Sequence, residues 1–398
     1  MADIAEHPFP QFSKQEMERR YAAVRQEMRK RDLDILIVAG SSARWNEKNA
    51  NVRYFTEWAD RESAVDYLLI PREGEPTLFI WLGLRLFNAK LAASISDIRG
   101  AHPHQAEALI ERIKQLGAAE GKIGIDGYDR YIFIPHNHFV KLKDGLPKAD
   151  LQNVTGIVES LRAVKSDEEI RFMKKACALA DRACYAVADK LKPGMKDYEV
   201  YAIIDNAILS GGGEAPLLTL VASTSMENPT LPFPNIYPSA RVINRGDVVL
   251  TEISAKYAGY WGQVQKPFAI GKPSERYLDL IKVNQELYRI ISESLYPGNT
   301  LGNVNALGKK YLEQHNLERV VCFAHGVGME APEEPLIGKM DTWPMDSDQV
   351  IVPGNAFVVE PNPAVKDKTA GMFLGDTFVV TETGSVCLNR FPAELTIC

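Results

Sequence analysis

The chain lacks most of what would send it to a membrane, out of the cell or onto nucleic acid. No apolar run reaches the ~20 residues that a bilayer span needs. The opening MADIAEHPFPQFSKQEMERR has neither the basic start nor the apolar centre of a secretory signal, so the cytoplasm is the expected compartment. Cysteine is scarce: five residues (Cys177, Cys184, Cys322, Cys387, Cys398), scattered, with no CxxC. That excludes a disulfide framework and a zinc knuckle, and leaves reduced thiols. Positive charge is not in excess either; the net charge of −6 is spread along the chain, and no nucleic-acid surface is expected. The glycine run Gly211–Gly213 lacks a Walker lysine, and no dinucleotide fingerprint follows DILIVAG (Asp34–Gly40).

What is present is ordinary globular material, 45% hydrophobic and 25% charged over 398 residues, enough for two domains. Ser13 with Glu16 three residues on forms a capping box that opens a helix to about Arg31. Strands are expected at Asp34–Gly40, Val65–Ile70, Thr77–Leu82 and Lys122–Asp126, with a helix at Gln105–Gln115. The alternation implies an α/β N-terminal domain over residues 1–157. A second capping box, Ser166 with Glu169, opens a long helix to about Lys190. The junction is expected at Val158–Lys165, with the second domain over residues 158–398.

The second domain carries a faint repeat. Leu191-Lys-Pro-Gly194 and Leu295-Tyr-Pro-Gly298 each close one helix and precede another, expected over Tyr198–Leu209 and Leu301–His315. Beyond each helix stands a glycine-led apolar strand ending in glutamate, GDVVLTE (Gly246–Glu252) and GNAFVVE (Gly354–Glu360). The Pro-Gly pairs are 104 residues apart and the glutamates 108. A duplicated unit with matched glutamates implies two pseudo-symmetric halves whose strand-end carboxylates meet.

The chemistry gathers around those glutamates. VVCFA ends at His325, and Gly326 and Gly328 leave little bulk near its imidazole, which suits a ligand or a base. Two carboxylates near a histidine either bind a cation or drive one carboxyl pKa upward, and a raised carboxyl can serve as a general acid. Gln263, eleven residues after Glu252 in GYWGQVQKPF, puts a neutral amide where an acid would complete the set. Cys322 and His325, three apart on an apparent strand, are expected to face opposite sides and make no nucleophile dyad. His136 and His138 in IPHNHF read as surface or packing residues. Trp58, Asp60 and Arg61 in TEWADRES read as a loop of the first domain.

These blocks resemble the pita-bread superfamily of creatinase, proline dipeptidase, aminopeptidase P and methionine aminopeptidase. NVRYFTEW and LRAVKSDEEI resemble the creatinase/prolidase entry domain and its linker. GDVVLTEISAKYAGYWGQVQKPF, HGVGMEAPEEP, PGNAFVVEP and GDTFVVTETG resemble the four blocks of the catalytic domain, in order. The resemblance implies an α/β N-terminal creatinase-like domain and an α+β pita-bread catalytic domain with pseudo-twofold internal duplication. Of the five metal ligands of the peptidases, it places the first aspartate on Glu252, the second on Gln263, the histidine on His325 and the first glutamate on Glu360. The last glutamate falls on Gly375, the arginine two positions before it on Phe373, and the second histidine of the HGxGxxxHE pattern on Pro332, with Glu333 and Pro335 retained. Two anions are missing, and a pair of close dications needs bridging anions to offset its repulsion. A dinuclear site is therefore not expected. The catalytic histidine of creatinase falls on Asn235.

The resulting expectation is a creatinase-like hydrolase of a small polar amide or C–N-bonded substrate, without metal, with Glu252, His325 and Glu360 as acid–base groups. Gln263, Asn235 and Tyr260 are expected to bind substrate. Trp58 and Arg61 are expected to reach a neighbour's pocket in a homodimer, as the resemblance implies. The alternative is an Xaa-Pro dipeptidase or aminopeptidase holding one divalent metal on Glu252, His325 and Glu360 with the Gln263 carbonyl. A lyase on the same scaffold and a non-enzymatic binding protein complete the range.

Overall fold

The structure is a computed structural model and describes residues 9–40, 50–59, 65–127, 133–215, 218–338 and 347–398. It divides into two compact units, residues 1–162 and 163–398.

The first unit is built on a six-stranded sheet in the order Asp97–Gly100, Thr77–Ile80, Tyr67–Pro71, Ile35–Ala39, Lys122–Asp126, Asp150–Asn153. Its central strand, Ile35–Ala39, pairs antiparallel with Tyr67–Pro71 and parallel with Lys122–Asp126. A parallel neighbour needs a crossover, and the helices Gln105–Gln115 and His136–Gly145 lie in the connections on that side of the chain. Ile37, Leu69, Phe79, Leu109, Ile113, Ile123 and Leu142 form its buried core. At the helix Lys14–Lys30, Ser13 Oγ accepts the Glu16 N–H at 3.1 Å, one half of the capping box expected from the sequence, while the Glu16 carboxylate accepts from Arg19 and Arg20.

The second unit opens at the full capping box: Glu169 N donates to Ser166 Oγ at 3.2 Å and Ser166 N to the Glu169 carboxylate at 2.8 Å. The helix Asp167–Lys190, its neighbour Asp197–Ser210 and the long hairpin Asp247–Tyr257/Tyr260–Ala269 share one core, with Val187, Ile204, Val249 and Ile253 in it. The helices Glu275–Glu293 and Leu301–Gln314 share a second core with the strands Ala356–Val359 and Asp376–Val380, through Leu287, Ile291, Phe357, Val359 and Phe378.

The halves are the same device built twice. Gly194 and Gly298 sit at φ +92° and +89°, and Gly246 and Gly354 both at +87°, a region that a side chain would strain. Gly194 N donates to Ile243 O at 2.8 Å, and Gly298 N to Ile351 O at 3.0 Å. Each Pro-Gly turn is thus tied by its glycine N–H to the segment leading into its own half's glutamate strand.

One expectation fails. Glu252 is not at a strand end: it is the sixth residue of the eleven-residue strand Asp247–Tyr257, while Glu360 directly follows the four-residue Ala356–Val359. The first hairpin runs on to a two-residue turn, Ala258-Gly259, both at positive φ (50° and 88°), the geometry that matches strand twist. The halves join where Gln265 and Gly375 exchange backbone hydrogen bonds, both at 3.0 Å, and where Gln263 N donates to Thr377 Oγ1, also at 3.0 Å.

Candidate active site

Strand register decides which side chains meet. Glu252 lies opposite Gln265, and Ser254 opposite Gln263. Directly opposed residues point to one face, so Glu252, Gln263 and Gln265 share it. Tyr260 and Gly262 take the other face, against the helix Asp167–Lys190. A Cβ on Gly262 would stand 2.3 Å from Cys177 N, and Tyr260 donates its hydroxyl to Glu169 at 2.8 Å. Tyr260 is therefore a strut between sheet and helix, not a neighbour of Gln263, because three positions along a strand reverse the face.

On that shared face two buried pairs form. Gln263 Nε2 donates to Glu252 Oε1 at 2.5 Å, and Gln265 Nε2 donates to Glu360 Oε2 at 2.8 Å. The other oxygen of Glu360 accepts from Cys322 Sγ at 3.3 Å and lies 3.6 Å from His325 Nε2. None of Glu252, Gln263, Gln265, His325 and Glu360 is more than 5% exposed, so solvent screens these groups little. Cys322 and His325 thus converge on one carboxyl, against the alternation expected from sequence. The strand holding His325 is only Ala324–Gly326, and Cys322 lies before it in irregular backbone where the period-two rule does not run.

Burial sets the charges. It pushes Glu252 up to about 8, with the Gln263 hydrogen bond opposing it in part. Burial and the neighbouring Glu252 charge both push Glu360 upward. His325 is lowered to about 4 by burial, and its Nδ1 lies 2.8 Å from Gly326 O. A carbonyl can only accept, so Nδ1 carries the proton and Nε2 presents a lone pair towards Glu360. Burial holds the Cys322 thiol far above its usual range, which makes it a hydrogen-bond donor and not a nucleophile. Near neutral pH the centre is a neutral imidazole and two carboxyl groups that resist ionising together. It can give a proton at one carboxyl and take one at the other or at His325 Nε2.

The other expected residues that are described make different contacts. Asn235 is exposed, and its backbone carbonyl accepts the Val221 N–H at 3.3 Å. Trp58 is buried in the first unit, its indole N–H on Asp66 at 2.9 Å. Arg61 and Asp60 lie outside the described residues. His138 accepts or donates at Tyr67 OH, 2.8 Å away, a packing role as expected. Phe373 rests on Phe233 with ring centroids 4.7 Å apart. Glu333, retained from the sequence pattern, pairs with Lys165 at 2.9 Å, both side chains buried. Gln265 and Cys322 are the contributors that sequence reading missed. Gln265 stands two residues after Gln263, hence on the same face, and that spacing was its only signal.

Glu252 and Glu360 each engage one oxygen with an amide N–H, position 263 offers at most a neutral carbonyl, and position 375 offers nothing. Among the described residues, no three His, Cys, Asp or Glu side chains are grouped closely enough to hold a metal ion. This donor set does not fit a pair of dications, which needs bridging carboxylates.

Comparison with known proteins places the chain. Residues 20–164 match the creatinase/prolidase N-terminal domain, and residues 171–382 match metallopeptidase family M24. The Xaa-Pro dipeptidase of Pyrococcus horikoshii is 24% identical over 370 residues, covering 92% of this chain and 96% of its own. Among solved structures, the dipeptidase PepE of Mycobacterium ulcerans superposes with a TM-score of 0.79 at 25% identity, covering 98% of this chain and 99% of its own. The Xaa-Pro dipeptidase of Bacillus anthracis does so with a TM-score of 0.80 at 22% identity, covering 96% and 100%. The two matches follow one another along the chain, and the likeness to these structures covers nearly all of it. The chain belongs to metallopeptidase family M24, a hydrolase of C–N bonds on the pita-bread fold behind a creatinase/prolidase N-terminal domain.

Proposed function

We propose that the protein hydrolyses a C–N bond in a small, polar, amide-like substrate by carboxyl and imidazole chemistry, without a resident metal. The observation that carries this reading is the double pairing of Gln263 with Glu252 and Gln265 with Glu360 in one buried centre. Each carboxyl is met by a neutral amide N–H where a dinuclear centre would set a bridging anion, and a buried, hydrogen-bonded carboxyl pair suits proton transfer. In this reading the carboxyl that keeps its proton gives it to the departing nitrogen as the C–N bond breaks. The ionised carboxyl, or His325 Nε2, takes a proton from the water that attacks carbon. Removing either group leaves water attack or nitrogen departure unassisted.

A second reading is an Xaa-Pro dipeptidase with one divalent metal. The names of the relatives favour it over the metal-independent reading. Glu252, His325 and Glu360 with the Gln263 carbonyl would be its donors, and the metal would polarise the scissile carbonyl. A homodimer, with Arg61 contributing to the neighbour's pocket, belongs to the proposal under either reading and is read by sedimentation and by Arg61→Ala.

One experiment separates the readings. Chelator-treated, metal-analysed protein is assayed on a panel of Xaa-Pro dipeptides and other small amides. Turnover that survives chelation supports the first reading. Loss on chelation, with recovery on adding manganese, cobalt, zinc or iron, sinks it and supports the second.

A further inference from the structure

Position 375 is closed. A Cβ there would stand 2.1 Å from Gln265 Oε1, 2.4 Å from Val359 O and 3.0 Å from Glu360 Cα. Two of those three atoms are backbone, so no rotamer change makes room. Gln265 fills the space in front of the glycine, and its Nε2 reaches Glu360 at 2.8 Å. Gln263 does the same for Glu252. In both amides the carbonyl Oε1 is buried with no hydrogen-bond partner among the described residues, at 1% and 0% exposure for the two side chains. An orphaned carbonyl is costly. Turning either amide over would not relieve it, because Nε2 would take the place of Oε1 as the buried atom without a partner.

We propose that Gln265 is the positioning residue of the second half. It delivers across the strand boundary the polar group that position 375 cannot carry, and as an N–H donor it fixes Glu360 as a hydrogen-bonded carboxyl instead of a cation ligand. Gln263 and Gln265 are then one device: two amide donors facing two carboxyl groups, set so that the centre excludes a cation. This inference rests on the metal-independent reading, and it says which side chains enforce it. Gln265 touches Glu360 and acts through it.

The isosteric exchange of amide for carboxylate tests this without adding bulk near 375. Manganese and zinc ions are titrated by calorimetry into chelator-treated full-length wild type, Gln263→Glu, Gln265→Glu and the double variant, with melting temperatures read with and without metal. Gln265→Glu is expected to bind a divalent ion at least about tenfold more tightly than wild type, with the double variant tighter still. Metal is expected to raise the melting temperature of the double variant more than that of wild type. A folded Gln265→Glu protein that binds no more tightly than wild type overturns the proposal. So does a wild type that already binds as tightly as the double variant, and so does a double variant that stays unfolded even with metal present. Chelator-sensitive wild-type activity would refute the metal-independent reading by itself. If Gln265→Glu still gained affinity in that case, the exclusion of a cation would fall, and Gln265 would stand as the side chain that weakens cation binding at Glu360.

Discussion

The two halves of the catalytic unit share their turns, their positive-φ glycines and the spacing to their glutamates, yet they complete those glutamates differently. In the first half the partner comes from the same hairpin: Gln263 reaches back to Glu252 across one strand pair. In the second half the corresponding strand offers Gly375, and the partner of Glu360 comes from the first half, as Gln265. Duplication supplied a symmetric scaffold, and the chemistry on it is asymmetric. The first half is self-sufficient; the second depends on its twin. Cys322 and His325 reach Glu360 as well, so the borrowed amide enters an already crowded carboxyl.

The largest expected effect comes from breaking both halves at their acids. Glu252→Gln and Glu360→Gln each keep the shape of the side chain and remove the titrating group, and kcat/KM should fall ~10²–10⁴-fold in either. Equal losses mark the carboxyls as one pair. A loss confined to one half would show that the other glutamate only packs.

The closure at 375 gives the next effect. Gly375→Ala forces a methyl against Val359 O and Gln265 Oε1 and should lower stability by about 1–3 kcal/mol, read from the denaturant midpoint. Gly384→Ala, where a Cβ would meet nothing within 4 Å, serves as the control.

Charge gives the third. A carboxyl raised to about 8 binds its proton more tightly folded than unfolded, so it stabilises at low pH and that stability is lost as pH rises through about 8. His325, lowered to about 4 from an ordinary 6.5, works in the opposite direction, and its contribution grows as pH rises between those values. The two oppose each other below 6.5. Between 6.5 and 8 only the carboxyls act, and stability should fall with rising pH by about 1.4 kcal/mol per pH unit for each proton held. Glu252→Gln should flatten that fall, as measured by melting at fixed pH steps.

The smallest effect lies far from the chemistry. Ser166→Ala removes a reciprocal cap and should cost about 1 kcal/mol, and Thr300→Ala, where Thr300 Oγ1 accepts a single N–H from Asn303 at 3.2 Å, no more than that. Neither should change kcat. A change in kcat from either would tie the helices to the centre more closely than the packing implies.

The fold was largely legible in the sequence because its signals are local. Ser13 and Ser166 cap as their spacing implies, Gln105–Gln115 is the helix the sequence implies, and the paired Pro-Gly turns carry the duplication. The trio Glu252, His325 and Glu360 was legible from the repeat and the resemblance. What failed needed register. Tyr260 and Gln263 are three apart inside a true strand, so alternation separates them. Cys322 and His325 are three apart where the strand has not begun, so alternation says nothing. Asn235 was placed by counting back through irregular backbone, where no periodicity fixes direction; it is exposed, and its substrate role stays a proposal. Gln265 was missed because its partner is 95 residues away, on the other half.

The central claim is that the buried pair holds a proton near neutral pH because two hydrogen-bonded carboxyls cannot both ionise there. Infrared difference spectroscopy of chelator-treated protein reads this directly, through the C=O stretch of a protonated carboxyl. The account predicts such a band at pH 7, altered by Glu252→Gln and by Glu360→Gln, with the part lost in Glu252→Gln weakening as pH is raised past about 8. A spectrum at pH 7 showing both carboxyls ionised would contradict it.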